Sequence, residues 1–279
     1  MLDTLTLCTY NILAPCWTNP GIYPTSSVPY LDRYVRRDIK IDILNNLAKT
    51  HDIIALQEIQ DDEYPVLKEA MKQIGFQGFN VNHRDDYWEN YITLDPPFVS
   101  NGVGLFWNKK NINILEIQGH NFSDDGNKGI VAYFRKNNKL FRVTCVHLDT
   151  KRGGRVTNEA QSIVDLLVPG EDLTDIIIGD LNFNTGQEVY DVFKDSNFID
   201  VYDAVGEKGV ERPLNTSYAG NTNCGIIDHI MIRNATPVSS SILDFNAWSD
   251  GSQDPEERIN LTLQRIGSDH FIVIGKIEF

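Results

Sequence analysis

Three consecutive isoleucines, Ile176-Ile177-Ile178, run directly into Gly179-Asp180-Leu181-Asn182-Phe183-Asn184. An apolar, β-branched run of this kind reads as a strand buried on both faces, and so as part of a sheet that is covered on each side. Gly179 lets the backbone turn at its end. Asp180 and Asn182 then stand two residues apart, a spacing that points both side chains the same way from an extended backbone. Burying such a pair without partners is costly. The stretch is therefore either a polar turn after a strand or part of a site.

The same arrangement recurs along the chain. Residues 4–13 read as a strand through Asn11, and residues 52–58 as a short buried strand ending on Glu58. His147 closes a run at 140–148, Asp228 lies in a strand at 226–232, and Ser268-Asp269-His270 opens the last strand, at 270–279. A single His beside an apolar run is usually structural. Asn11, Glu58, His147, Asp180, Asn182, Asp228 and His270 together make a poor core and a hydrolytic site. Asp269 is expected to orient His270. The carboxylates are hard oxygen donors suited to Mg²⁺ or Mn²⁺. The histidines can donate to phosphoryl oxygens or transfer protons near neutral pH. Asp180 can orient or deprotonate an attacking water, with no Cys or Ser nucleophile.

Between these strands the periodicity predicts helices. One spans 32–49, with Val35, Ile39, Ile43 and Leu47 on its apolar face and Asp32 as N-cap. A second spans 63–74, with Val66, Leu67, Ala70, Met71 and Ile74, and is stopped by Gly75. Further helices carry Ala160, Ile163, Val164 and Leu167, and residues 188–195. Additional strands are expected at 102–107, 113–118 and 129–135. Residues 82–101 form a long aromatic loop with Tyr87, Trp88, Tyr91 and Phe98, expected to wall a substrate. Residues 244–267 read as a polar, acidic insertion. Strands often follow one another without a helix between them. That favours mixed sheets packed face to face, with helices outside, over a doubly wound sheet.

A net charge of -14 removes any overall basic footprint for nucleic acid. It leaves room for a nucleic-acid substrate, since divalent cations offset local negative charge. Cys8, Cys16, Cys145 and Cys224 lack zinc spacing, and Cys8 and Cys145 sit in apolar runs, as in a reducing compartment. Neither a signal-peptide pattern nor a bilayer-length apolar run occurs. The expectation is one soluble, cytoplasmic, monomeric domain over 1–279 with no membrane partner.

Tyr10-Asn11-Ile12-Leu13, Leu56-Gln57-Glu58-Ile59, Val146-His147-Leu148, Gly179-Asp180-Leu181-Asn182, Ile227-Asp228-His229-Ile230 and Ser268-Asp269-His270 occur in this order. Together they resemble the endonuclease/exonuclease/phosphatase superfamily across nearly the whole chain. Thr9–Ala14, Tyr30-Leu31, Arg36-Arg37, Gly75-Phe76-Gln77-Gly78-Phe79 and residues 102–107 are similar to one branch, the carbon-catabolite-repressor deadenylases, nocturnin and the Angel proteins.

The resemblance implies a DNase-I-like α/β fold: a four-layer α/β/β/α sandwich of two mixed sheets, with the site at one edge. It implies Glu58, Asn11 and Asp269 at a Mg²⁺ site, with Mn²⁺ as a possible substitute. It implies Asp180 and Asn182 handling water and phosphate, with His147, Asp228, Asp269 and His270 completing catalysis. Lys151, Arg152 and Arg155 follow His147 across two glycines, as a clamp for substrate phosphates. His229 stands where the family usually has Tyr. Asn223-Cys224 stands where deadenylases usually have a base-stacking aromatic, leaving Phe183, Tyr87, Trp88 and Tyr91 to stack instead. A leucine-rich docking region is not expected.

The implied activity is a metal-dependent phosphodiester hydrolase, in the first place an RNA 3′-exonuclease. The alternatives are a phosphatase or phosphodiesterase acting on a small substrate (a phosphorylated dinucleotide, inositol phosphate or lipid head group) and an inactive binding module. Either Asp180 or His270 fits as general base, and the pattern accommodates one cation or two.

Overall fold

The computed structural model describes residues 3–18, 23–83, 99–123, 127–149, 155–170, 172–184, 187–206, 226–243 and 254–279. In chain order its strands are β1 (Thr4–Asn11), β2 (Ile53–Gln60), β3 (Phe76–Asn82), β4 (Asn101–Asn108), β5 (Asn113–Asn121), β6 (Lys128–Lys136), β7 (Lys139–His147), β8 (Leu173–Asp180), β9 (Ile199–Asp200), β10 (Asp228–Arg233), β11 (Thr236–Leu243) and β12 (Ile272–Glu278). Its helices are α1 (Arg33–Leu47), α2 (Tyr64–Gln73), α3 (Arg155–Leu166), α4 (Glu188–Asp195), α5 (Val201–Val205) and α6 (Pro255–Ile266).

The strands form two six-stranded mixed sheets, ordered β11-β12-β1-β2-β4-β3 and β5-β6-β7-β8-β10-β9. Each contains one parallel pair, β1 with β2 and β7 with β8. A parallel pair needs a crossover, and α1 and α3 supply it. The ends of both parallel pairs therefore reach one edge of the sandwich, carrying Asn11, Glu58, His147 and Asp180. The antiparallel strand β10 begins at that edge, with Asp228 opposite Asp180. β12, antiparallel to β1, begins there just after His270.

Alternation along the strands builds the layers. Ile176 and Ile178 face the space between the sheets, with Leu5, Leu7, Ile53, Leu105 and Val143. Ile177 faces outward, against Ala160, Ile163 and Phe193 of α3 and α4. On the other side Leu44, Leu47, Leu67 and Met71 of α1 and α2 cover Cys8, Ile54 and Leu56. All three isoleucines are fully buried, each contributing about 1.5–3 kcal/mol. The result is the expected α/β/β/α sandwich.

Several local expectations differ. Val35 is exposed, and the stripe that α1 buries is Arg36, Lys40, Leu44 and Leu47, one position round the helix from Val35, Ile39 and Ile43. Asp32 does cap it, accepting from the backbone N–H of Tyr34 and Val35. On α2, Val66 and Ile74 are exposed while Leu67 and Met71 are buried. The expected insertion ends in α6. Asp254 caps this helix, Pro255 opens it, and Gly267 closes it in a left-handed conformation. Its Ile259 and Leu263 pack on Leu13, Tyr23 and Leu31. Few apolar residues carry that helical period, so charged neighbours mask it. β3, β9 and β11 are strands beyond those that the sequence pattern predicts. Among the described residues no helix is long and apolar enough to cross a membrane. Cys8, Cys16 and Cys145 are buried free thiols.

Candidate active site

The site begins where β8 ends. Gly179 has φ +150, and a Cβ there would lie 1.9 Å from the Val146 carbonyl oxygen on β7. Only glycine allows β7 and β8 to stay paired to their ends, which sets His147 opposite Asp180. Asn182 then adopts a left-handed backbone at φ 55, and Glu58 does so at φ 61, where the β2–β4 register shifts. Non-glycine residues in this region store local strain, a feature that collects at functional sites.

Asn11 joins the two sides. Its Nδ2 donates to Glu58 Oε1 and to Asp180 Oδ2, each at 3.0 Å, while its Oδ1 accepts from the Leu13 backbone at 3.0 Å. Glu58 Oε2 accepts from the Ala14 N–H at 2.8 Å. Asp180 Oδ1 accepts from the Asn182 N–H at 2.9 Å, and Asn182 Nδ2 donates to the Leu148 carbonyl at 2.7 Å. The Nε2 atoms of His147 and His270 stand 3.6 Å and 3.8 Å from Asp180 Oδ2. His270 Nδ1 is bonded to Asp228 Oδ2 at 2.8 Å.

Burial, then the charge of Asp228, raises the Asp180 pKa, against the lowering effect of His147 and His270. Burial works against a charged His270, but Asp228 and Asp180 outweigh it and raise its pKa well above 6.5. The charged form of His270 is thus favoured by Asp228 and Asp180 on either side of it. Burial also raises the Asp269 pKa, with the Glu58 charge adding to it, while Asp269 Oδ2 accepts from Tyr23 Oη at 2.9 Å.

Two arrangements offer oxygen donors to a cation. Among the described residues, ligand atoms of Asp180, Asp228 and His270 lie within 4.8 Å of one another. There the His270–Asp228 bond already pairs an imidazole with a carboxylate. Glu58 and Asp269 instead offer two carboxylates, and the Glu58 charge raises the Asp269 pKa. That donor set suits a hard divalent cation bound through carboxylates, with positions left for water and phosphate oxygen.

The structure brings Asn11, Glu58, His147, Asp180, Asn182, Asp228 and His270 together, with Asp269 within reach of the Glu58 charge. It corrects the partner of His270. That partner is Asp228, whose Oδ2 lies 2.8 Å from His270 Nδ1, while Asp269 Oδ2 accepts from Tyr23 Oη. It also removes Phe183 from any substrate surface: the ring is fully buried, stacked on His229 at 5.1 Å and on Phe193 at 5.9 Å. His229 packs behind it, with Nδ1 2.6 Å from Asp200 Oδ2 and Nε2 2.9 Å from the Phe183 carbonyl. Both nitrogens face oxygens, so the ring is an imidazolium that anchors the turn bearing Asn182. Burial opposes that charge, and Asp200 outweighs it, raising the pKa. Lys151, Arg152, Trp88, Tyr87, Tyr91, Phe98, Asn223 and Cys224 lie outside the described residues, as does the side chain of Arg155, which opens α3.

Other participants escape the sequence pattern. Ser268 Oγ donates to the Asn11 carbonyl at 2.6 Å and accepts from the His270 N–H at 3.2 Å. Its place in Ser-Asp-His is the only signal. His83 is buried with its ring 5.9 Å from that of His147, and burial lowers its pKa to about 3. Arg36 and Tyr23 approach from behind, and nothing in local sequence marks them as neighbours of Asp269.

Comparison with known proteins agrees with the fold. The model of the Endonuclease/Exonuclease/phosphatase family matches residues 8–270. No curated protein sequence matches the chain. Among solved structures, ANGEL2, described as a 2′,3′-cyclic phosphatase and bound to adenosine-2′,3′-vanadate, aligns with TM-score 0.78 and 14% identity, covering 100% of this chain and 96% of that one. The human nocturnin catalytic domain with bound sulfate aligns with TM-score 0.71 and 16% identity, covering 99% and 96%. D. rerio TDP2 with a single-strand DNA product aligns with TM-score 0.68 and 15% identity, covering 99% and 100%.

Proposed function

The chain belongs to the endonuclease/exonuclease/phosphatase family and is a phosphoester hydrolase, and from that premise we propose that it is a Mg²⁺-dependent phosphodiesterase acting at the 3′ end of RNA. The observation that carries the reading is the Asn11 amide, shared between Glu58 and Asp180. It couples an oxygen-rich side suited to a hard cation to a side with two imidazoles and a buried carboxylate.

Glu58 and Asp269 would hold Mg²⁺, or Mn²⁺ in its place, with Asn11 beside them, and the cation would polarise a phosphoryl oxygen. Asp180 receives the proton of the attacking water. Its oxygens are oriented by the Asn11 amide and the Asn182 N–H. His270, kept charged by Asp228, donates from Nε2 to the phosphoryl oxygens as negative charge builds on them. His147 Nε2 lies on the same side of Asp180 and donates likewise. Lys151, Arg152, Arg155 and Trp88 remain candidates for the substrate's phosphates and bases.

A second reading, a phosphatase on a small or terminal phosphate ester, draws on the likeness to ANGEL2. One panel separates the two. Labelled oligoadenylate, oligouridylate, DNA, adenosine 2′,3′-cyclic phosphate and nucleotide phosphates are incubated with Mg²⁺ or Mn²⁺. Progressive shortening of RNA supports the first reading, and release of product only from the small esters replaces it with the second. Glu58→Ala and Asp180→Asn should each lower the rate by ~10²–10⁴-fold. Folded wild-type protein inactive on every substrate refutes both.

A further inference from the structure

Arg36 heads the largest fully buried side chains of the described residues, yet it belongs to α1, outside the sheets. Its hydrogen bonds go to backbone carbonyls. Nε donates to Gly267 O at 2.9 Å, and Nη2 donates to Ile12 O at 3.1 Å and to Leu13 O. These acceptors lie on two separate turns. The first leaves β1 just after Asn11, and its Ala14 N–H donates to Glu58 at 2.8 Å. The second opens Gly267-Ser268-Asp269-His270.

Both turns depend on support. Leu13 has φ 53 and Gly267 has φ 66. A leucine in the left-handed region is strained and persists only when its surroundings over-determine it. Lys40, one turn along α1, adds a contact from Nζ to the Leu13 carbonyl at 3.4 Å and a buried ion pair with Glu63 at 3.5 Å. Tyr10 Oη reaches the Ile266 carbonyl beside the second turn.

We propose that Arg36 is a positioning residue for the cation side of the site: its guanidinium pins the Ile12–Leu13 and Gly267 turns to α1, and so holds Glu58 and Asp269 in register with each other. This rests on the reading of Glu58 and Asp269 as divalent-cation ligands. A planar fork can bond two turns at once, and a lysine ammonium cannot match it.

Charge alone predicts the opposite of positioning. The Arg36 charge acts on Asp269, so removing it would tighten cation binding by relieving repulsion. Losing the pinned geometry would loosen it. The test is Mn²⁺ binding to the full chain, read by electron paramagnetic resonance and calorimetry, for wild type, Arg36→Lys, Arg36→Met and the neighbouring control Arg37→Met. Both Arg36 variants should bind Mn²⁺ about tenfold or more weakly, with kcat recovering at saturating Mn²⁺ and the control unchanged. A folded Arg36 variant that binds Mn²⁺ as tightly as wild type, or more tightly, overturns the assignment. Should Arg36→Met fail to fold, Arg36→Lys decides, since it keeps the charge and loses the fork. Wild type that binds no Mn²⁺ removes the cation reading, and this assignment with it. Wild-type binding with unaltered variants removes this assignment alone.

Discussion

Asn11→Asp keeps the shape of a fully buried side chain and reverses its chemistry. One oxygen can still accept from the Leu13 N–H, but the other replaces an amide that donates to Glu58 and Asp180 at 3.0 Å each. If the groups relax to ~4 Å, each like-charge pair is repulsive by about 4 kcal/mol at an effective dielectric constant near 20. Glu58 is partly exposed and screened, whereas Asp180 is 1% exposed, so the Asp180 pair dominates. Proton uptake limits the penalty. Keeping a carboxyl of pKa about 4 protonated at pH 7 costs about 4 kcal/mol, at 1.36 kcal/mol per unit. Loss of hydrogen bonding to charged partners adds about 1.5–3 kcal/mol. The variant should therefore be about 5–7 kcal/mol less stable at pH 7.

The sign with pH follows from linkage. Asp180 already has a raised pKa in the fold, and the carboxyl introduced by the substitution would be raised as well. The folded state then binds more protons than the unfolded state. The repulsive part is absent below the unfolded pKa of about 4 and grows as pH rises to the folded pKa. Urea denaturation followed by circular dichroism between pH 4.5 and 7.5, with chelator present, measures this. Adding Mg²⁺ should recover part of the loss. A variant within about 1 kcal/mol of wild type at pH 7.5, or a penalty that does not shrink toward acid, would falsify the bridging role given to Asn11.

Asp228→Asn removes the charge that outweighs burial at His270, so its pKa should fall and the alkaline limb of the rate profile should move to lower pH. The stability that the raised His270 pKa supplies, present below about 6.5 and lost as pH rises through the folded value, should vanish too. Imidazole NMR titration with pH–rate profiles checks both, and an unmoved alkaline limb counts against the pairing. Gly179→Ala sets a Cβ against the Val146 carbonyl at 1.9 Å, and thermal denaturation should show loss of more than about 4 kcal/mol or failure to fold; near-native stability would mean that the β7–β8 register is looser than described. Phe183→Leu should cost about 1–2 kcal/mol of stability and leave the substrate KM unchanged, because the ring is buried. A raised KM in a stable variant would return Phe183 to the substrate surface.

Strand ends and polar residue types are local properties, and they are legible without coordinates. Ile176-Ile177-Ile178 before Gly179-Asp180 has to be a buried strand ending in polar groups, because no exposed element has reason to carry that run. The mixture of Asp, Glu, Asn and His at successive strand ends already points to hydrolytic chemistry. The buried face of α1 and the helix at 255–266 are not legible in the same way. Long Arg and Lys side chains can be buried where their donors find carbonyls, and a rule based on apolarity cannot see those carbonyls.

Pairing is decided only by the tertiary structure. Asp228 rather than Asp269 reaches His270, Asn11 spans Glu58 and Asp180, and Arg36 on α1 bonds Gly267, 231 residues further along the chain. Each depends on the register of non-neighbouring strands and on the left-handed turns at Leu13, Glu58 and Asn182. Sequence spacing carries side-chain direction along one strand, but the distance between two strand ends is set by the packing of two sheets, which no single stretch encodes.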